Sequence, residues 1–162
     1  MARREKVASS RRRYSRPRRG RVQAFAGTAV VLLMLLGPRL GDVVNAGVTR
    51  TDGCRIYGIV DGDTVRMHCP GSGFGRTRLT GFDTPEFRAG CGRELIMAFL
   101  ATQALRWELW RAGEIAVRER GQDRYGRRLA QVRVDGHTLS ARMIDTGLAR
   151  IHLGGMERGW CA

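Results

Sequence analysis

Asp61-Gly62-Asp63-Thr64, the run Arg78 to Glu86 (RLTGFDTPE) and Asp123-Arg124-Tyr125-Gly126-Arg127 carry most of the polar chemistry in this chain. Asp63, Asp83 and an oxygen of Thr84 are hard ligands, suited to calcium or magnesium rather than to zinc or copper. Three protein ligands leave room for water and a phosphate oxygen. Asp61 reads as a neighbour that orients the turn or a bound water. Glu86 follows Asp83 by three residues across Thr84-Pro85, so a carboxylate not needed as a ligand stands ready to take a proton from water. Arg78 and Arg127 are guanidinium groups, each able to hold two oxygens of a phosphoryl group in one plane. The inventory suits attack on a phosphodiester. Each stretch alone has a plainer reading: Asp-Gly is first a hairpin signal, a lone Glu a cap or surface group, and a lone arginine a solvated one.

The elements that must bring these stretches together are short. Ile56, Ile59, Val60, Val65 and Met67 form two strand-like runs about the Asp-Gly-Asp turn, and a third run follows Pro70-Gly71-Ser72-Gly73 and ends at Phe82. Leu95, Ala98, Phe99, Thr102, Leu105 and Leu109 recur at helical spacing, predicting an amphipathic helix over about 94–111 that Gly113 ends. Residues 114–120 and 128–134 read as strands and 139–145 as a short helix, while 148–153 reads as a last strand. The pattern predicts a mainly β (α+β) domain built on a five-stranded OB-fold barrel with two or so helices.

Charge is distributed unevenly. The chain of 162 residues is formally +14, yet residues 1–21 hold ten basic residues against Glu5. An apolar run, residues 22–37, follows and stops at Pro38-Arg39. It is short for a membrane span, which takes roughly 20 apolar residues, and suits an export signal with cleavage after Ala46. An uncleaved anchor, associated with the membrane through residues 22–37, is the alternative. Residues 1–46 are thus read as signal peptide or signal anchor and 47–162 as the folded domain. That domain carries 18 arginines, no lysine and 13 acids, a net of +5, enough to steer an acidic polymer without gripping it.

All four cysteines, Cys54, Cys69, Cys91 and Cys161, fall in the domain, an even number that in an exported chain favours two disulfides. No Cys/His spacing suits zinc. Cys54 and Cys69 lie almost symmetrically about Gly62, so a hairpin there predicts Cys54–Cys69 and, by remainder, Cys91–Cys161. Free buried thiols are the alternative.

Val60-Asp61-Gly62-Asp63-Thr64, Arg78-Leu79 with Asp83-Thr84-Pro85-Glu86, and Asp123-Arg124-Tyr125-Gly126-Arg127 resemble, in order and spacing, the three motifs of the staphylococcal nuclease (thermonuclease) family. Gly147-Leu148-Ala149 resembles a further element, and the likeness covers about residues 54–153. The resemblance implies an OB-fold endonuclease that hydrolyses DNA and RNA at the 5′ P–O bond with calcium (Ca2+), giving 3′-phosphates. It implies that Asp63, Asp83 and the Thr84 carbonyl bind calcium and that Glu86 is the general base. It also implies that Arg78 and Arg127 hold the phosphate, and that Arg124 and Tyr125 contact the nucleotide's other phosphate. The chain departs from the family at Leu153, where a second tyrosine is expected, and in ending at Ala162 without a C-terminal helix; a Cys91–Cys161 bridge would fix the short tail instead. The expected protein is an exported or envelope-associated monomer with DNA and/or RNA as partner. Two rivals are a non-catalytic OB-fold module binding single strands and an envelope protein using calcium structurally. Tyr125 is the one aromatic expected at the site, too few for a stacking platform.

Overall fold

A computed structural model describes residues 19–152 and 159–161. The chain divides into two units, residues up to Leu35 and residues from Leu36 onward. Helix α1 (Arg19–Val48) belongs to the first by its apolar run and to the second by its last turns. The helix runs on past the end of the apolar stretch: Pro38 lies within it, although a proline there removes a backbone donor.

The second unit is a curled, seven-stranded sheet with helices against it. Five strands do most of the work: β2 (Arg55–Ile59), β3 (Thr64–Cys69), β4 (Gly73–Leu79), β5 (Glu114–Gln122) and β6 (Arg128–Val134). Two-residue strands β1 (Arg50–Thr51) and β7 (His137–Thr138) extend it, so the sheet has two more strands than the five expected. The order is β1-β5-β6-β4-β3-β2, with β7 beside β6. Strands β4 and β6 run parallel, Arg78 opposite Leu129, because helix α2 (Gly92–Trp110) and β5 intervene between them in the chain. This mixed, strongly curled arrangement is the OB-like fold expected. The last expected strand is absent: residues 148–152 contribute an isolated bridge, Arg150 to Asp83, and Leu153 lies outside the described residues.

The core lies between the sheet and α2. Val65, Met67, Leu79, Phe82, Leu105, Leu109, Ala130, Val132 and Val134 are buried together with Leu139 and Met143 of α3 (Leu139–Asp145). Glu108 of α2, itself buried, pairs with Arg111 at the end of its own helix at 3.0 Å and ties α2 to α3 through Arg142 at 3.2 Å. The helix does not bury the whole face expected of it. Ala98, Ala101, Thr102, Leu105 and Leu109 point inward, whereas Leu95 and Phe99 are exposed. Both expected disulfides are formed, Cys54–Cys69 across the end of the β2–β3 hairpin and Cys91–Cys161 from the start of α2 to the tail.

Candidate active site

The β2–β3 turn brings the first stretch inward. Asp61 Oδ1 accepts the Asp63 amide at 3.2 Å, and the Val60 amide donates to the Thr64 carbonyl at 2.9 Å. Asp61 therefore orients the turn. Gly62 matters here for space: a Cβ at 62 would lie 2.7 Å from Thr84 Oγ1 and 2.9 Å from Ala101 Cβ. The turn thus presses directly on the second stretch and on α2.

Asp63 is almost wholly buried, and its carbonyl accepts the Leu79 amide at 2.7 Å. Antiparallel pairing sets Thr64 opposite Arg78, which places the Arg78 guanidinium beside the Asp63 carboxylate. Arg78 NH2 lies 2.8 Å from Asp63 Oδ2 and 2.5 Å from Asp83 Oδ1, so oxygens of two distant stretches converge on one cationic group. Asp83 is held by backbone as well: its amide donates to the Arg150 carbonyl at 2.8 Å and its carbonyl accepts the Arg150 amide at 2.9 Å. Burial pushes the Asp63 carboxyl up to about 7; Arg78 opposes this, Asp61 adds to it, and the Thr64 hydroxyl opposes it.

The third stretch is a loop organised by Asp123. Its Oδ1 accepts the amides of Tyr125 and Arg127, both at 2.9 Å, and its Oδ2 accepts Arg127 Nε at 2.7 Å. Desolvation works to raise the Asp123 carboxyl, but the Arg127 amide and guanidinium and the Tyr125 amide outweigh it and hold it below the usual range. The Asp123 hydrogen bond in turn raises Arg127 further. Tyr125 is exposed, with the Arg124 guanidinium 4.9 Å and the Arg127 guanidinium 5.6 Å from its ring centre.

Two cavities meet at this place. One, about 350 Å³, is lined by Asp61, Asp63, Thr84, Arg78, Glu86 and Arg127, among others. The other, about 620 Å³, is lined by Arg78, Glu86, Arg127, Asp123, Arg124 and Tyr125, with Phe82, His152 and their neighbours. Arg78, Glu86 and Arg127 line both. The expected site residues therefore gather around one opening. Asp83 is present through its ion pair with Arg78 and does not line either cavity wall.

Residues 76–158, just over half of the chain, match the family model described as staphylococcal nuclease homologue. The chain belongs to the staphylococcal nuclease family. Within the nuclease-family match lie the Arg78–Glu86 and Asp123–Arg127 stretches, while Asp61–Thr64 precedes it and joins the site through the β3–β4 pairing. No curated protein matches the chain significantly.

Two contributors escaped the sequence reading. Asp123 was visible within its motif but without a role; an Asp three residues before a glycine in a turn is the signal that names it. Arg150 holds Asp83 by two backbone hydrogen bonds, which no side-chain pattern announces.

The donor set fits a hard divalent cation. It offers carboxylate oxygens from Asp63 and Asp83 that already converge on positive charge, beside the buried Thr84. Among the described residues, the groups of three potential side-chain ligands are Cys54/Cys69/Glu119 and Cys91/Glu94/Cys161. Both use sulfurs committed to disulfides, so neither offers a thiolate.

Proposed function

We propose that the protein is an exported, calcium-dependent endonuclease that hydrolyses DNA and/or RNA at the 5′ P–O bond and leaves 3′-phosphates, acting as a monomer. The observation that carries this reading is that Arg78, Glu86 and Arg127 together line both cavities. A phosphodiester spanning the opening meets a carboxylate and two guanidinium groups at once.

Asp63, Asp83 and the Thr84 carbonyl would hold calcium, which when bound supplies positive charge to a phosphate oxygen. Asp61 keeps the turn in shape. Glu86, exposed at the opening, takes the proton of the attacking water as its oxygen bonds to phosphorus. The bond to the 5′-oxygen breaks, and that oxygen takes a proton from solvent. Arg78 and Arg127 hold the phosphoryl oxygens as their charge grows. Arg124 and Tyr125 face the larger cavity, where an adjoining phosphate fits between guanidinium and phenol. Asp123 does not meet substrate in this scheme; it aims Arg127.

The test is incubation of the full-length chain with DNA and with RNA, in calcium or in chelator, followed by end-group analysis. Cleavage that needs calcium and yields 3′-phosphates is expected. Undiminished cleavage in chelator, 5′-phosphate ends, or binding without cleavage overturns the reading.

A further inference from the structure

The last turns of α1 are built into the folded domain. Asp42, 4% exposed, accepts hydrogen bonds from Arg106 Nε and from the Trp110 indole N–H, each at 3.0 Å. Gly41 lies so close to the Trp110 ring that an added Cβ would fall 2.5 Å from it. The Asn45 amide donates to the Leu109 carbonyl at 3.1 Å, and Arg55 bonds the Ala46 carbonyl. The seam among Asp42, Asn45, Ile56, Ile59, Leu109 and Trp110 leaves a gap of only about 10 Å³. Cleavage after Ala46 would remove the one carboxylate that pairs with Arg106 among the described residues; the Arg106 side chain is 10% exposed, and a buried charge stripped of its partner is strongly destabilising.

The same region carries an unusual surface. Between Glu94 and Arg111 the only charged residues are Arg106 and Glu108, and both are buried. Beyond its first turn, where Arg93 and Glu94 stand, the outward face of α2 is therefore uncharged and largely apolar, with Ile96 64%, Phe99 54% and Trp107 62% exposed, and Leu95 and Leu100 beside them. Trp110 is 38% exposed and joins this face to the docked end of α1, where Leu40, Val43 and Val44 are also exposed.

We propose that the N-terminal helix is retained as an anchor and that the apolar face of α2 beyond Glu94 rests in the interface of the bilayer the anchor enters. Three observations select lipid as the occupant. Residues 27–48 are apolar and helical enough to cross a membrane by length and composition, but Asp42 is committed to the domain, so the crossing part ends before it. Residues 22–37 as a helix reach about 24 Å, at about 1.5 Å per residue, short of the roughly 30 Å hydrocarbon core. A short span is accommodated by drawing flanking groups toward the interface, and the flanking groups here are Leu40, Val43 and Val44, covalently followed by the segment that grips α2. Finally, exposed tryptophan is favoured at the lipid–water boundary. The basic residues before the run place the N-terminus in the cytoplasm and the disulfide-bonded domain outside, where disulfides persist. The inference is independent of the nuclease reading.

The test uses the full-length chain expressed in membranes and reconstituted into phosphatidylcholine/phosphatidylglycerol vesicles. Intact mass is expected to show the N-terminal segment retained; a mature protein beginning at Gly47 overturns the proposal. With acyl chains brominated near the headgroup, tryptophan emission is expected to be quenched more than with deep bromination, and Trp107→Phe is expected to remove much of the quenched signal. Trp107 is exposed, so the substitution leaves the fold intact, which circular dichroism checks. Emission indifferent to bromine overturns the lipid contact. So does efficient disulfide cross-linking between two copies of Ile96→Cys, which would assign this face to a second copy of the chain.

Discussion

Gly62 touches Thr84 so closely that a Cβ would fall 2.7 Å from its Oγ1 and 2.9 Å from its Cβ. The contact is how the first and second site stretches are held together, since both neighbours are buried. Gly62→Ala is therefore expected to cost about 1–3 kcal/mol through overpacking, and to push Asp63 away from Asp83. Thermal melting reads the first effect, and calcium titration of the folded fraction reads the second as weakened binding. A Gly62→Ala protein with unchanged melting and unchanged calcium affinity would show that the two stretches meet by other means.

That contact also marks a limit of the sequence reading. Asp-Gly was legible as a hairpin, and the β2–β3 and β5–β6 strands, α2 and α3 follow from turn residues and periodicity. Residues 148–153 alternate like a strand, but alternation does not supply a partner, and among the described residues of this segment the one pairing is the Asp83–Arg150 bridge. Helical periodicity placed Leu95 and Phe99 on the same face as Leu105, and the barrel takes the narrower stripe centred on Ala98, Thr102 and Leu105. The charged site residues were legible because their spacing resembles a known family. Their supports were not: Arg150 holds Asp83 by backbone hydrogen bonds across a long separation, and the Asp123 carboxylate aims Arg127 through a local loop whose shape residue types alone do not give.

Arg127 is half exposed and Glu86 is exposed, so neither contributes much to folding. Glu86→Gln and Arg127→Ala are each expected to lower turnover by about 10²–10³ with melting temperatures within a degree or two of the parent, by the small cost typical of surface changes. Asp123→Ala is expected to reduce turnover as well, by freeing Arg127, and to add little to Arg127→Ala in the double variant. Turnover assays on the four proteins decide this. Full additivity would mean that Asp123 acts by a separate route.

Asp63 ties the proposed cation binding to pH. With its carboxyl raised to about 7 by burial, the cation-free protein holds a proton there that the unfolded chain, titrating near the ordinary 3.8, does not. The folded state binds more protons between these values, so this group favours folding at low pH and the contribution fades as pH rises toward 7. On the proposed reading, calcium displaces that proton. Its affinity is therefore expected to rise up to about tenfold per pH unit below about 7 and to level off above. Calcium-induced shifts in melting temperature should accordingly grow from pH 5.5 to 8. A shift independent of pH would remove Asp63 from the ligand set.

The Cys91–Cys161 bridge reaches the site through the tail. Trp160, next to Cys161, is buried, and the Arg150 guanidinium stacks over its ring at 3.8 Å. Arg150 in turn holds the Asp83 backbone by two hydrogen bonds. Replacing Cys161 by Ser is expected to cost about 2–4 kcal/mol, the usual range for a bridge closing a long loop, and also to loosen Asp83. Cys54–Cys69 closes a loop of sequence separation 15 on the far end of the hairpin, so Cys69→Ser is expected to destabilise without that second effect. Calcium affinity of each variant, measured below its own melting range, separates the two consequences. Equal affinities in both would confine the Cys91–Cys161 bridge to stability, whereas a selective loss in Cys161→Ser shows the tail steadying a metal ligand from outside the barrel.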